Sequence, residues 1–297
     1  MFMRHNPFKG FGIALATPFR EDSSIDFDAL KLLIADVLKN GADFLCVLGT
    51  TAETPTLSER EKGEIMRFVV EQVDGRVPLL LGVGGNNTAA VCNALKSGDF
   101  SGFQGILSVC PFYNKPSQEG LYQHFKAISE ASPLPVVLYN VPGRTGCNLL
   151  PQTTLRIAND CANVVAIKEA SGFISQASEI LSALPEGFEV ISGDDGITFE
   201  MLASGAAGVI SVIGNAFPKA FGEMTHSTLG GNIAAGREWH RKLRRLYPLM
   251  GVEGNPAGVK CLLSAQGKIQ NILRLPLVPV SEKTERLISE FNSSFQN

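Results

Sequence analysis

The sequence predicts an α/β protein, a (β/α)8 TIM barrel with a small C-terminal helical appendage. Three observations carry this: short apolar runs recur along the chain, a helical pattern follows each, and no nucleotide-binding signature of an open doubly wound sheet occurs. The runs are FGIALATPF (11–19), FLCVLG (44–49), VPLLLGVG (77–84), GILSVCPFY (105–113), PVVLYNVP (135–142), VVAIKEAS (164–171), FEVISGDD (188–195) and GVISVIGN (208–215). Their near-continuous Val, Ile and Leu, without strict alternation, mark strands covered on both faces. An open sheet would show G-x-G-x-x-G or a P-loop, and the glycine-rich LGVGGNN at 81–87 matches neither spacing.

Between the runs the chain carries helix signals. Residues 26–40 place Leu30, Leu33, Ile34 and Val37 at helical spacing and end in Asn-Gly. Ser58 and Glu61 form a capping-box pattern, in which each side chain satisfies a free amide at a helix start. Pro151 suits a first helical turn, where its missing N–H costs little. After about residue 230 the strand rhythm stops, and Ile233–Arg245, Gly258–Gln266 and Ser281–Phe291 read as helices only. The expected division is a catalytic barrel over 1–231 and a helical domain over 232–297.

The chain has 297 residues, 44% of them hydrophobic, and a formal net charge of -3, which describes a globular protein with ample core. The mild acidity gives no footprint for nucleic acid or an anionic membrane, and no apolar stretch is long enough to span a bilayer. The start, MFMRHNPFKG, lacks the apolar middle of a secretory signal. Cys46, Cys92, Cys110, Cys147, Cys161 and Cys261 form no C-x-x-C pair and read as buried free thiols, so the expected compartment is the cytoplasm.

In such barrels the βα loops converge at the C-terminal ends of the strands, so the chemistry is sought there. The strand ends supply Gly49-Thr50-Thr51-Ala52-Glu53, Tyr113-Asn114, Tyr139-Asn140 with Arg144-Thr145, Lys168-Glu169 and Gly193-Asp194-Asp195. The four histidines, His5, His124, His226 and His240, fall elsewhere, which makes a metal-dependent hydrolase a poor reading and predicts no metal. Glu53, Glu169, Asp194 and Asp195 could serve a glycosidase as paired carboxylates. The simpler reading gives these acids to loop hydrogen bonds or to offsetting Lys168 and Arg144. The lone Trp239, in the appendage, offers a sugar no aromatic platform at the strand ends.

On a strand, Val164, Ala166 and Lys168 share one face, while Val165 and Ile167 share the other. The bulkier pair suits the helix layer, which turns Lys168 into the barrel mouth. A buried lysine is driven toward the neutral amine that a Schiff base needs. Spacing alone leaves two readings level: a nucleophile, or a structural lysine paired with Glu169. Tyr139, at equal depth on the preceding strand, is either a proton shuttle for a carbonyl oxygen or a core tyrosine.

GTTAET (49–54), PFYNKPSQEG (111–120), YNVPGRTG (139–146), IKEASG (167–172) and SGDD (192–195) together resemble the dihydrodipicolinate synthase family, within the pyruvate-dependent class I aldolases. The resemblance runs from Gly12 through the Arg274-Leu-Pro segment. It implies condensation of pyruvate with aspartate 4-semialdehyde on the way to diaminopimelate and lysine, with no cofactor beyond a covalent Schiff base on Lys168. Tyr139 would donate and accept protons, and Thr50 and Tyr113 would complete a hydroxyl relay, Tyr113 reaching in from a neighbouring subunit. Thr51 and the backbone at Ile210 would hold the pyruvate carboxylate and nearby groups, with Gly193 in the same binding set. Arg144 would clamp the semialdehyde carboxylate. The family is typically a homotetramer built as a pair of tight dimers.

An N-acetylneuraminate lyase or another 2-keto acid aldolase of the superfamily is the runner-up. Arg144 after YNVPG argues against it, as does the apolar Ser171-Gly172-Phe173-Ile174 where a sugar would need polar partners. A catalytically silent barrel would have a broken relay, yet its four members are present. Two departures from the family pattern stand out. Ala52 replaces the usual glycine of GTTGE, with both threonines kept. The positions that form a lysine-inhibition pocket in sensitive members hold Phe112, Glu59, Lys62 and Ala90, although Asn86 is retained, and this predicts weak or absent inhibition by lysine.

Overall fold

The computed structural model describes residues 6–296; the stretch 1–5, with His5, and residue 297 lie outside the described residues. Eight strands follow the predicted runs: β1 (Gly10–Ala14), β2 (Phe44–Val47), β3 (Leu79–Gly82), β4 (Gly105–Val109), β5 (Val136–Asn140), β6 (Val164–Glu169), β7 (Glu189–Ser192) and β8 (Gly208–Ser211). All pair in parallel in sequence order, and β1 closes on β8, giving the expected barrel. Each run outlasts its strand because its C-terminal part leaves the sheet to build the loops of the strand-end face.

The helices are α1 (Phe27–Lys39), α2 (Glu59–Val73), α3 (Thr88–Ser97), α4 (Gln118–Ala131), α5 (Pro142–Thr145), α6 (Pro151–Asp160), α7 (Ile174–Leu181), α8 (Thr198–Ala203) and α9 (Pro218–Leu229), then α10 (Ile233–Leu243), α11 (Ala257–Ala265) and α12 (Glu282–Gln296). Asp26 caps α1 by accepting from Ala29 N, and Ser58 and Glu61 make the reciprocal capping box of α2. Such caps each contribute about 1 kcal/mol.

Two apolar layers follow from alternation along the strands. Phe11, Leu45, Leu79, Ile106, Leu138, Val190 and Val209 pack outward against the helices. Phe44, Cys46, Leu80, Leu107, Val137, Tyr139, Ile191 and Ile210 fill the barrel. Gly12 faces that interior because a Cβ there would meet the Phe44 ring at 2.1 Å.

Strand β6 departs from the expected alternation at its start. Val136 pairs with Val164 and Val137 with Ala166, so the register slips by one residue and Val165 is bulged. Val164 therefore packs in the outer layer and Val165 in the inner one, the reverse of the expectation. Beyond the bulge the expected faces hold: Ala166 packs inward, Ile167 outward, and Lys168 pairs with the inward Tyr139.

Candidate active site

Lys168 is 5% exposed, and its Nζ lies 4.4 Å from the centroid of the Tyr139 ring. That ring face attracts a cation weakly and leaves an amine free to react. Among the described residues, no carboxylate lies within 4.0 Å of Lys168 Nζ and no hydrogen-bond partner meets it. Pairing with Glu169 is ruled out by the pleat, which turns adjacent residues to opposite faces. Glu169 accepts instead from Ser171 N at 2.6 Å, Asn140 Nδ2 at 3.0 Å and Gln176 Nε2 at 3.0 Å. Asn148 links Asn140 and Gln176, so this buried amide network braces the loop that carries Arg144.

Gly193, expected in the binding set, sits against the lysine. A Cβ there would lie 2.9 Å from Lys168 Cε and Cγ, so only glycine leaves the side chain its course. Cys46 also faces this interior; burial pushes its thiol up to about 11, with Lys168 acting the other way. Ile210 on β8 is wholly buried in the same layer.

The Thr50–Ala52 segment forms a single 3-10 turn after β2. Thr51 is buried, and its Oγ1 accepts from Asn255 Nδ2 at 3.0 Å. The Asn255 carbonyl in turn accepts from Arg144 Nη2 at 3.0 Å. Asn255, which sequence reasoning passed over, thus joins two expected binding residues from opposite sides of the mouth. Its only sequence signal was the Asn-Pro pair at 255–256, which reads as a turn.

Thr50, Tyr139 and Arg144 line a cavity of about 1170 Å³, which continues past Glu59, Lys62, Asn86, Ala90 and Phe112. Thr51 and Lys168 are not part of this lining, although Tyr139 beside Lys168 is. Tyr113 is not brought to Lys168 either. It is 88% exposed with φ of 74°, and its amide donates to Thr145 O at 3.3 Å. Glu59 and Lys62 pair with each other at 2.7 Å, and Asn86 Nδ2 donates to the Phe112 carbonyl at 3.0 Å.

The remaining acids are all occupied. Glu53 pairs with the buried Lys260, and Asp194 Oδ1 accepts from Gly196 N. Asp195 accepts from Val212 N at 3.0 Å and Ile213 N at 2.7 Å; burial still pushes its carboxyl up to about 6. His124 bonds Thr88 Oγ1, and burial pushes its imidazole down to about 4. His226 meets Asp43, and His240 meets Tyr247. Among the described residues no group of three or more His, Cys, Asp or Glu could hold a metal. Cys46, Cys110, Cys161 and Cys261 are buried as expected, but Cys92 and Cys147 are only half-buried.

An amine without a counter-charge beside a phenol, under a mouth lined with hydroxyls and a guanidinium, is suited to adding to a carbonyl carbon. The model of the dihydrodipicolinate synthetase family matches residues 7–292. A 4-hydroxy-tetrahydrodipicolinate synthase from Phocaeicola vulgatus is 56% identical over 95% of this chain and 96% of its own length. The dihydrodipicolinate synthase structure from Thermotoga maritima superposes with a TM-score of 0.95 at 44% identity, covering 98% of this chain and 99% of that one. One from Cyanidioschyzon merolae, solved with lysine bound, gives 0.92 at 35% identity, over 98% and 99%.

Proposed function

The chain belongs to the dihydrodipicolinate synthetase family and is a lyase with 4-hydroxy-tetrahydrodipicolinate synthase activity, and we propose which of its residues carry that reaction. Lys168 is the nucleophile. Its amine adds to the pyruvate ketone, and loss of water leaves a Schiff base. Loss of a proton from C3 then gives an enamine, whose carbon attacks the aldehyde of aspartate 4-semialdehyde. No bound cofactor takes part. The observation that supports this assignment is a buried lysine with no carboxylate within 4.0 Å among the described residues, set against the Tyr139 ring.

Tyr139 moves protons between the reacting oxygens and the relay, of which Thr50 is the next member. Thr51, Gly193 and the Ile210 backbone form the pyruvate end of the site, Gly193 by keeping the space beside Lys168 clear. Arg144, tied to the Asn255 carbonyl, receives the semialdehyde carboxylate as a planar fork suited to two oxygens. The exposed Tyr113 serves the site of a neighbouring subunit in a cytoplasmic homotetramer, a pair of tight dimers, with residues 232–297 as its helical domain.

The acceptor test is a steady-state assay of pyruvate with aspartate 4-semialdehyde against pyruvate with N-acetylmannosamine. Turnover of the first pair alone is expected, and turnover of the sugar alone overturns the acceptor assignment. Lysine should inhibit weakly or not at all, because Glu59 and Lys62 neutralise each other where a ligand's charges would need partners. Strong inhibition by sub-millimolar lysine in the same assay would show that this cavity still binds it.

A further inference from the structure

We infer that the Lys260–Glu53 ion pair is a positioning element of the active site, fixing the turn that carries Thr50 and Thr51. The inference rests on the pyruvate-binding and relay roles proposed for those two threonines. Glu53 ends the Thr50–Ala52 turn, its amide donating to Thr50 O at 3.1 Å, with φ of 54° in the left-handed region. A non-glycine residue holds that conformation only where its surroundings enforce it. Here they do. The Glu53 side chain is fully buried, with Oε1 2.5 Å from Lys260 Nζ and Oε2 accepting from Arg274 N at 3.0 Å.

Lys260 is equally enclosed. It extends from α11, donates to the Ile272 carbonyl at 2.9 Å and lies 4.0 Å from the Phe19 ring centroid. The turn is thus tied to two places in the C-terminal segment, α11 and the strap at Ile272–Arg274. Both charges have left water, and such pairs are often replaced by apolar groups without loss of stability. The placement of one directly behind Thr50 and Thr51 therefore points to geometry rather than stability. The backbone offers one rigid route from the pair to the substrate: Glu53 to Ala52 to Thr51.

The test is the double variant Glu53→Gln/Lys260→Met, which removes both charges together and leaves an oxygen for Arg274 N. It should fold and melt within a few degrees of the parent, and pyruvate with borohydride should still label Lys168. Its pyruvate KM should rise and its kcat fall, each about tenfold, because small displacements of positioning groups have effects of that size or larger. The KM for aspartate 4-semialdehyde should move less than that for pyruvate, since Arg144 is linked to Thr51 indirectly, through Asn255; a general loosening would move both alike. A folded double variant with pyruvate KM and kcat within about twofold of the parent overturns the inference, the change being too small for lost positioning. So does a double variant that loses its circular dichroism, since the pair would then serve folding. Absence of label from Lys168 in the parent overturns the site assignment and this inference with it, whereas label with unchanged kinetics overturns this inference alone.

Discussion

Lys168 and Lys260 are both withdrawn from water, at 5% and 0% exposure, yet their surroundings are opposite. Lys260 has Glu53 at 2.5 Å and a carbonyl at 2.9 Å, and although burial pulls its ammonium down to about 8, the carboxylate opposes that pull. Among the described residues, Lys168 meets an aromatic ring and no carboxylate within 4.0 Å. Burial by itself therefore does not mark a nucleophile. What separates the two is the counter-charge: the matched lysine tethers a loop, while the unmatched one is the proposed nucleophile.

Substitutions should separate the two lysines in opposite ways. Lys168→Met should lower kcat/KM by roughly 10^4-fold or more, as loss of a covalent nucleophile does, and leave the thermal melt at or above the parent's. Tyr139→Phe, which keeps the ring beside Lys168 and removes the hydroxyl, should lower kcat by about 10^2- to 10^4-fold. A fall under twofold would take Tyr139 out of the proton path. Lys260→Met alone leaves Glu53 buried without its partner and should cost about 3–5 kcal/mol in chemical denaturation.

Asp195 extends the comparison to a half-buried acid with no cationic partner among the described residues. Its carboxyl is raised to about 6, so the native state holds this proton more tightly than the unfolded chain does. The stability it contributes is full below the ordinary carboxylate range and is lost as pH rises through about 6. That loss amounts to about 3 kcal/mol. Asp195→Asn keeps an oxygen for the Val212 and Ile213 amides and removes the titration. Unfolding free energies of variant and parent should therefore diverge in the variant's favour between pH 4 and 7, and parallel curves would show that burial does not hold the proton.

The barrel was legible because buried parallel strands are continuous apolar runs, and such runs depend on local sequence. The swap of Val164 and Val165 was not, because a bulge belongs to the register between β5 and β6 and leaves no mark in either strand alone. Lys168 was legible as a charge closing an apolar run. Lys260 carries the same sign, within Val259-Lys260-Cys261-Leu262, but it lies in the helical tail where no strand-end argument directs the eye. Its partner stands more than two hundred residues away, as does the partner of Asn255, and neither distance can be read from local pattern. Tyr113 shows a different limit: the role proposed for it depends on a surface that a single chain leaves exposed.

The most direct measurement is to incubate the enzyme with pyruvate, reduce with borohydride and map the modified peptide by mass spectrometry. Label on Lys168, the buried lysine left without a counter-charge, is the expected result. Label on Lys260 or any other lysine, or no label at all, would contradict the assignment of the nucleophile.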